Sequence, residues 1–275
     1  MKLTSFRVFQ EEIPLTQPFT ISYHTTESTT LHFVEWQTDL GHLGWRTASP
    51  GQRVTGETDE ACNAALQAMS ALQGEDVRHL PRLLRYLETE FPKAPAARAA
   101  VDMALHDLLA RRLDIPLTDM LGRCHNSLPT SITLGLRSIE ETLAEAKEKV
   151  GKGFSVIKVK LGQDLEFDLE LLQRLRAELP QEILLRVDPN QGYDLQALQT
   201  LLAKLDELRL EFVEQPMPVS ETEQLRSLPL EQPQQLVLDE SLQSPQDALR
   251  YGFQDPLCGG FNIKLMKCGG LGPAR

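Results

Sequence analysis

The sequence predicts an α/β protein: an N-terminal α+β unit over residues 1–125, then parallel β/α units of a barrel over residues 126–275. Three observations lead there. Short strands precede helices in the first 125 residues. After Asn126 strand and helix alternate, and charged residues close successive strands at a nearly constant interval.

Leu3 to Phe9, Thr20 to Tyr23 and the alternating Thr30 to Trp36 read as strands, with Gly41 and Gly44 as the turn residues that follow. Leu15 to Thr30 is rich in Thr and Ser and poor in apolar residues, so it is expected to be a largely mobile loop around the short middle strand. Helical periodicity takes over from Thr58 to Leu72 and from Ala97 to Arg112. The second run places Ala100, Val101, Ala104, Leu105 and Leu108 on one stripe. His106 lies within that run and reads as a buried, hydrogen-bonded histidine.

Strands follow at Ser131–Gly135, Ser155–Leu161, Glu182–Asp188, Leu210–Glu214, Gln235–Asp239 and Gly260–Leu265. Amphipathic helices are expected near Ile139–Lys149, Leu165–Glu178, Leu195–Leu208, Glu221–Ser227 and Pro245–Tyr251. A closed (β/α)8 barrel needs roughly 200 to 250 residues. The 150 residues from 126 to 275 hold six strands, so the expected architecture is a barrel truncated after the sixth.

The strand ends carry the chemistry. They read Lys158-Val159-Lys160, Asp188-Pro189-Asn190, Glu214-Gln215-Pro216, Asp239-Glu240-Ser241 and Asn262-Ile263-Lys264. From Lys160 to Asp188, Glu214, Asp239 and Lys264 the steps are 28, 26, 25 and 25 residues. Residues repeating once per β/α unit at strand C-termini converge on one mouth of a barrel, where barrel enzymes keep their active sites. Three carboxylates there need a compensating cation, and oxygen ligands without His or Cys favour Mg2+. Period-2 alternation turns Lys158 and Lys160 to the same face, where mutual repulsion beside a dication is expected to lower their pKa values. Lys264 enters from the far side. A metal flanked by two lysine bases suits abstraction of a proton α to a carboxylate, and two lysines suggest racemisation or epimerisation.

Composition excludes other classes. Lys and Arg number 28 against 39 Asp and Glu, a net charge of −11 that disfavours nucleic acid as a partner. Cys62, Cys124, Cys258 and Cys268 form no C-x-x-C pair, and all six histidines precede residue 126, so the barrel segment offers neither a His-based zinc site nor a Ser-His triad. No apolar run approaches the roughly 20 residues of a membrane span, and no signal peptide is evident, so a cytoplasmic protein is expected.

These motifs together resemble the enolase superfamily, in particular its muconate-lactonizing-enzyme-like subgroup. They are K-V-K at Lys158–Lys160, D-P-N at Asp188–Asn190, E-Q-P at Glu214–Pro216, D-E-S at Asp239–Ser241 and N-I-K-L-M-K-C-G-G at Asn262–Gly270. The superfamily's Lys base and Mg2+ are a known pairing. The resemblance implies an N-terminal capping domain and an enolase-type (β/α) barrel. It implies Mg2+ held by Asp188, Glu214 and Asp239, with Lys160 and Lys264 as the two acid/base catalysts. Lys158 and Asn190 are implied near the substrate. Within the subgroup, K-L-M-K-C-G-G is most similar to the dipeptide epimerases acting on L-Ala-D/L-Glu. Their Asp-x-Asp motif on the eighth strand lies beyond the six strands read here. Leu15–Thr30 matches the capping loop in position, with His24 a candidate contact, and a homo-oligomer is a further family expectation.

Blander readings compete. A single Asp after a strand is more often a helix N-cap than a ligand. Lys158 reads equally as a charge neutraliser, Lys267 as a solvated loop residue because it is out of strand parity with Lys264, and Gly269, Gly270 and Gly272 as a tight turn. Within the superfamily, o-succinylbenzoate synthesis, N-acylamino acid racemisation and cycloisomerisation share the site. An inactive truncated relic or a binding protein is the alternative of another class.

Overall fold

The computed structural model describes residues 1–21, 24–229 and 235–275. Its N-terminal part is an antiparallel sheet in the order β1 (Leu3–Ile21), β2 (His24–Thr38), β3 (Leu43–Ala48). Leu15–Thr30 is not the loop expected. β1 and β2 stay paired past that segment, Glu12 opposite Thr30 and Thr20 opposite Thr25, with one irregularity between Pro14 and Phe19. The threonines that looked loop-like are β-branched and favour extended backbone, and their hydroxyls pair across the ribbon, as at Thr20 and Thr25 (3.0 Å). Ser22 and Tyr23, the end of the expected middle strand, lie outside the described residues.

Helices α1 (Asp59–Ala68), α2 (Leu80–Glu90), α3 (Pro95–Leu113) and α4 (Leu117–Leu121) follow, a short 3-10 turn over Met69–Leu72 completing the first expected helix. Thr58 caps α1 by accepting from the Ala61 N–H. α3 buries its predicted stripe, Ala100, Val101, Ala104, Leu105 and Leu108, against Val34 and Trp36 of the sheet and Leu66, Leu83 and Leu87 of the other helices. Each fully buried leucine there contributes about 1.5–3 kcal/mol.

The remaining chain forms a parallel sheet in sequence order: β4 (Ser131–Leu134), β5 (Val156–Lys160), β6 (Leu184–Asp188), β7 (Leu210–Glu214), β8 (Leu236–Leu238), β9 (Gly260–Phe261). Alternation divides the faces. Ile157, Val159, Leu185, Val187, Val213, Leu236 and Leu238 are packed into the core with Leu171, Leu172 and Leu175 of α6 (Leu165–Glu178) and Leu198 and Leu201 of α7 (Leu195–Leu202). Lys158, Lys160, Asp188, Glu214 and Asp239 are thereby turned to the concave face. α5 (Ile139–Gly151), a one-turn α8 (Leu205–Leu208), α9 (Pro245–Gly252) and α10 (Leu265–Cys268) complete the helices.

Other expectations change too, and the helix expected over Leu195–Leu208 is divided into α7 and α8. The segment expected as a helix at Glu221–Ser227 is a 3-10 helix over Val219–Ser227. The last strand covers only Gly260–Phe261 rather than running to Leu265, the residue at which α10 begins. Among the described residues no helix is long and apolar enough to cross a membrane.

The loops behind the strand ends are locked by a glycine pair. A Cβ on Gly162, whose φ is +98°, would meet the Pro189 carbonyl oxygen at 2.2 Å, and one on Gly192 would meet the Gly162 carbonyl oxygen at 2.2 Å. Asp168 reinforces the contact by accepting from the Gly162 N–H (2.8 Å) and the Tyr193 hydroxyl (2.7 Å). Gly162→Ala is therefore expected to cost about 2–3 kcal/mol in denaturant unfolding, from backbone overlap added to positive-φ strain. Gly153→Ala, at φ +93° with open space around it, is expected to cost about 1 kcal/mol.

Candidate active site

The local sequence sets each strand end. Asp188 closes β6, and its Oδ1 accepts from the Asn190 N–H (2.9 Å), folding the chain back at a proline and a positive-φ asparagine. Gln215, after β7, straps the neighbouring turn: its Oε1 accepts from the N–H groups of Asp239 and Ser241 (both 3.0 Å). Its Nε2 donates to the Ser241 hydroxyl (2.8 Å) and the Met217 carbonyl (3.0 Å). The helix N-caps are Asp164, Asp194 and Ser244, which accept from Phe167, Ala197 and Asp247. The strand-end acids are thus free of the capping role weighed against them.

Asp188, Glu214 and Asp239 are 0%, 3% and 1% exposed, so each must be neutralised or paired. Lys158 Nζ lies 2.8 Å from both Asp188 Oδ2 and Glu214 Oε2. Lys160 Nζ donates to Asp188 Oδ2 (2.7 Å) and Asn190 Oδ1 (2.6 Å). Lys264 Nζ donates to Asp239 Oδ2 at 2.5 Å. The structure thus joins Asp188, Glu214, Lys158, Lys160 and Asn190 directly and pairs Asp239 with Lys264, and Asn262 bridges the two groups by donating to Glu214 Oε1 (2.7 Å) and accepting from Lys267 at its carbonyl (3.1 Å). Asn190 Nδ2 to Glu240 Oε1 (3.3 Å) links toward the next strand end. His24 is exposed on the hairpin.

Lys267 departs from its solvated reading. It is 2% exposed, and its ammonium donates to Asp239 Oδ1 (2.6 Å), to the Asp239 carbonyl oxygen and to the Asn262 carbonyl (3.1 Å). Strand parity misled because the chain is helical from Leu265, and residues three apart on a helix share a face. Glu240 was also missed. It is 5% exposed with Oε2 buried and without a hydrogen-bond partner, although its place in D-E-S beside Asp239 was a usable signal.

Charge distributes unevenly. Burial opposes ionisation of Asp188, but the Lys160 and Lys158 ammonium groups outweigh it and hold its pKa below the ordinary carboxylate value. Asp239 is likewise lowered against burial by Lys264 and Lys267. Burial and the Asp188 charge push Glu214 up, and burial with Asp239 and Asp188 does the same to Glu240. Lys158 is raised: burial works against its charge, yet the two carboxylates touching it prevail. Lys267 is lowered by burial.

Among the described residues no three His, Cys, Asp or Glu side chains are grouped to hold a metal ion. The donor set nevertheless fits a hard dication in kind: buried carboxylate oxygens on successive strands, compensated here by ammonium groups, with one Glu240 oxygen unpartnered. A cavity of about 290 Å³ opens beside Lys158, Glu214 and Asn262. Lysine side chains beside buried, charge-coupled acids are an arrangement able to form and stabilise an enolate-like charge.

Known proteins share this plan. Residues 3–122 match the mandelate racemase / muconate lactonizing enzyme N-terminal domain, and residues 141–275 match the enolase C-terminal domain-like family. The L-Lys-D/L-Arg epimerase of Methylococcus capsulatus is 50% identical over all of this chain and 78% of that protein. The L-Ala-D/L-Glu epimerase of Bacillus subtilis is 30% identical over all of this chain and 76% of that protein. The crystal structure of a Methylococcus capsulatus dipeptide epimerase, complexed with Mg and the dipeptide L-Arg-D-Lys, superposes with a TM-score of 0.98 at 50% identity, covering 100% of this chain and 78% of that one. On these matches and the strand-end plan that accompanies them, the chain belongs to the mandelate racemase / muconate lactonizing enzyme family of the enolase superfamily.

Proposed function

We propose that this protein is a Mg2+-dependent dipeptide epimerase that inverts the carbon α to the substrate carboxylate, with a cationic dipeptide of the L-Lys-D/L-Arg kind as its preferred substrate. One observation carries the reading: two strand-end lysines flank a row of buried acids in a chain 50% identical, over its whole length, to an L-Lys-D/L-Arg epimerase. The L-Ala-D/L-Glu substrate implied by the motifs alone has weaker support, 30% identity. The domain boundary is proposed at 125/126, between the two family matches.

In this reading Asp188, Glu214 and Asp239 hold the metal. When bound, Mg2+ supplies Lewis-acid stabilisation of the charge that develops on the substrate carboxylate as the α-proton leaves. Lys160 takes the proton on one face and Lys264 returns one on the other. Asn190 keeps Lys160 in place through its 2.6 Å hydrogen bond. Lys158 serves the substrate carboxylate as a fixed positive charge.

Three outcomes follow. In deuterated water the full chain is expected to wash deuterium into the α-position of the Arg residue in L-Lys-L-Arg and to epimerise it, with kcat/KM at least about tenfold above that for L-Ala-L-Glu. The opposite preference would overturn the cationic assignment, and exchange into neither would remove dipeptides altogether. Lys160→Ala is expected to cut epimerisation by about 10²–10⁴-fold, as loss of a general acid–base does, while leaving exchange of the isomer whose proton faces Lys264. Mg2+ at a hundred times its Kd is expected to stabilise the chain by about 2.7 kcal/mol in thermal unfolding. Asp188→Asn should abolish that shift, and a shift that survives would place the ion elsewhere.

A further inference from the structure

The cap and the barrel meet at a buried polar contact that the scheme above does not use. Asp102, 2% exposed on α3, turns its carboxylate to the glycine turn after α10. Oδ1 accepts from the Leu271 N–H at 2.8 Å and Oδ2 from the Gly272 N–H at 3.2 Å. His106, one helical turn along, sets Nδ1 3.0 Å from Asp102 Oδ1 and 2.9 Å from the Asp102 carbonyl oxygen, which fixes the carboxylate from behind.

The turn is shaped to this helix. Gly269 and Gly270 have φ of +99° and +129°, where L side chains are strained. A Cβ on Gly270 would lie 2.3 Å from Asp102 Cγ, and one on Gly269 would lie 2.7 Å from Arg98 Nη2. Backbone and carboxylate therefore approach as closely as glycine alone permits.

The same turn terminates α10. The Gly269 and Gly270 N–H groups both donate to the Leu265 carbonyl, at 2.9 and 3.0 Å. A helix of four residues has too few internal hydrogen bonds to hold its own position, so whatever grips its ends decides where it sits. Lys264 stands at its start and Lys267 in its last turn, both bonded to Asp239. The turn that follows it is gripped by Asp102.

We propose that Asp102 of the cap is a positioning residue for Lys264: by clamping the Leu271 and Gly272 amides it sets the height of α10, and so the reach of the Lys264 ammonium. The proposal rests on the reading of Lys264 as one of two proton-transfer lysines. It makes the cap more than a cover over the substrate, because one face of the proton transfer depends on a cap side chain and the other does not.

The test uses the full chain in three forms: native, Asp102→Asn and Gly270→Ala. Asn keeps the size but turns an N–H donor toward one of the amides. Gly270→Ala breaks the same contact from the barrel side, so poor folding of one variant leaves the other to decide. Two quantities are measured: acetylation of Lys264 relative to Lys160 by mass spectrometry, and α-proton exchange in deuterated water for each epimer of the Lys-Arg dipeptide separately. The expected result is a severalfold rise in Lys264 labelling over Lys160. Exchange of the epimer whose proton faces Lys264 should fall at least about tenfold, with the other epimer nearly unchanged. Equal changes at both lysines and both faces, as general loosening would give, overturn the proposal, and so does the absence of any change. If the native chain exchanges neither epimer, the epimerase reading fails, and the labelling ratio alone still decides the clamp.

Discussion

Three carboxylates buried at the ends of neighbouring strands need positive charge, and the architecture of the barrel segment answers to that need. Asp188, Glu214 and Asp239 are almost wholly removed from water. Isolated in that way they would neutralise rather than stay ionised, so each is met by an ammonium group within 2.8 Å. The electrostatics are held in tension. Asp188 and Asp239 are kept ionised by paired lysines, while Glu214 and Glu240 are pushed toward the neutral form by burial and by their acidic neighbours. In the proposed reading these three acids would hold a dication, and Lys160 and Lys264 would be the groups that move protons.

The scaffold supplies precision by ordinary means. Helix caps are drawn from residues a few positions after Lys160, Asp188 and Asp239, namely Asp164, Asp194 and Ser244, so the strand-end carboxylates are not spent on starting helices. Gln215 ties two strand ends together through three hydrogen bonds to Asp239 and Ser241, and the Gly162–Gly192 contact brings two loops to backbone distance. The cap contributes at a different point. Asp102 reaches the glycine turn behind α10, so the two domains share control of the row of charges.

Much of this was legible in the sequence because the β/α unit repeats. A period of 25 to 28 residues between charged strand ends reports both the fold and the shared mouth, and Lys158, Lys160, Asp188, Glu214 and Asp239 stand where that period puts them. Three features were hidden, each for a physical reason. Leu15–Thr30 looked like a loop by composition, but a hairpin ribbon needs cross-strand pairing more than apolar content. Lys267 was assigned by strand parity in a segment that is helical, so its partner Asp239 could not be inferred from alternation. Asp102 lies 169 residues from its partner Leu271, a separation no local pattern encodes.

The central claim is that Asp188, Glu214 and Asp239 gather on one divalent ion once it is supplied, in place of the lysine contacts that neutralise them here. Crystals of the full chain grown with Mn2+ and measured at the manganese edge test this directly. The account predicts one strong anomalous peak bonded to oxygens of all three side chains, with Lys158 withdrawn from at least one of its two acids. A peak bonded to other residues, or saturating Mn2+ with the three acids still held by Lys158, Lys264 and Lys267, would contradict it.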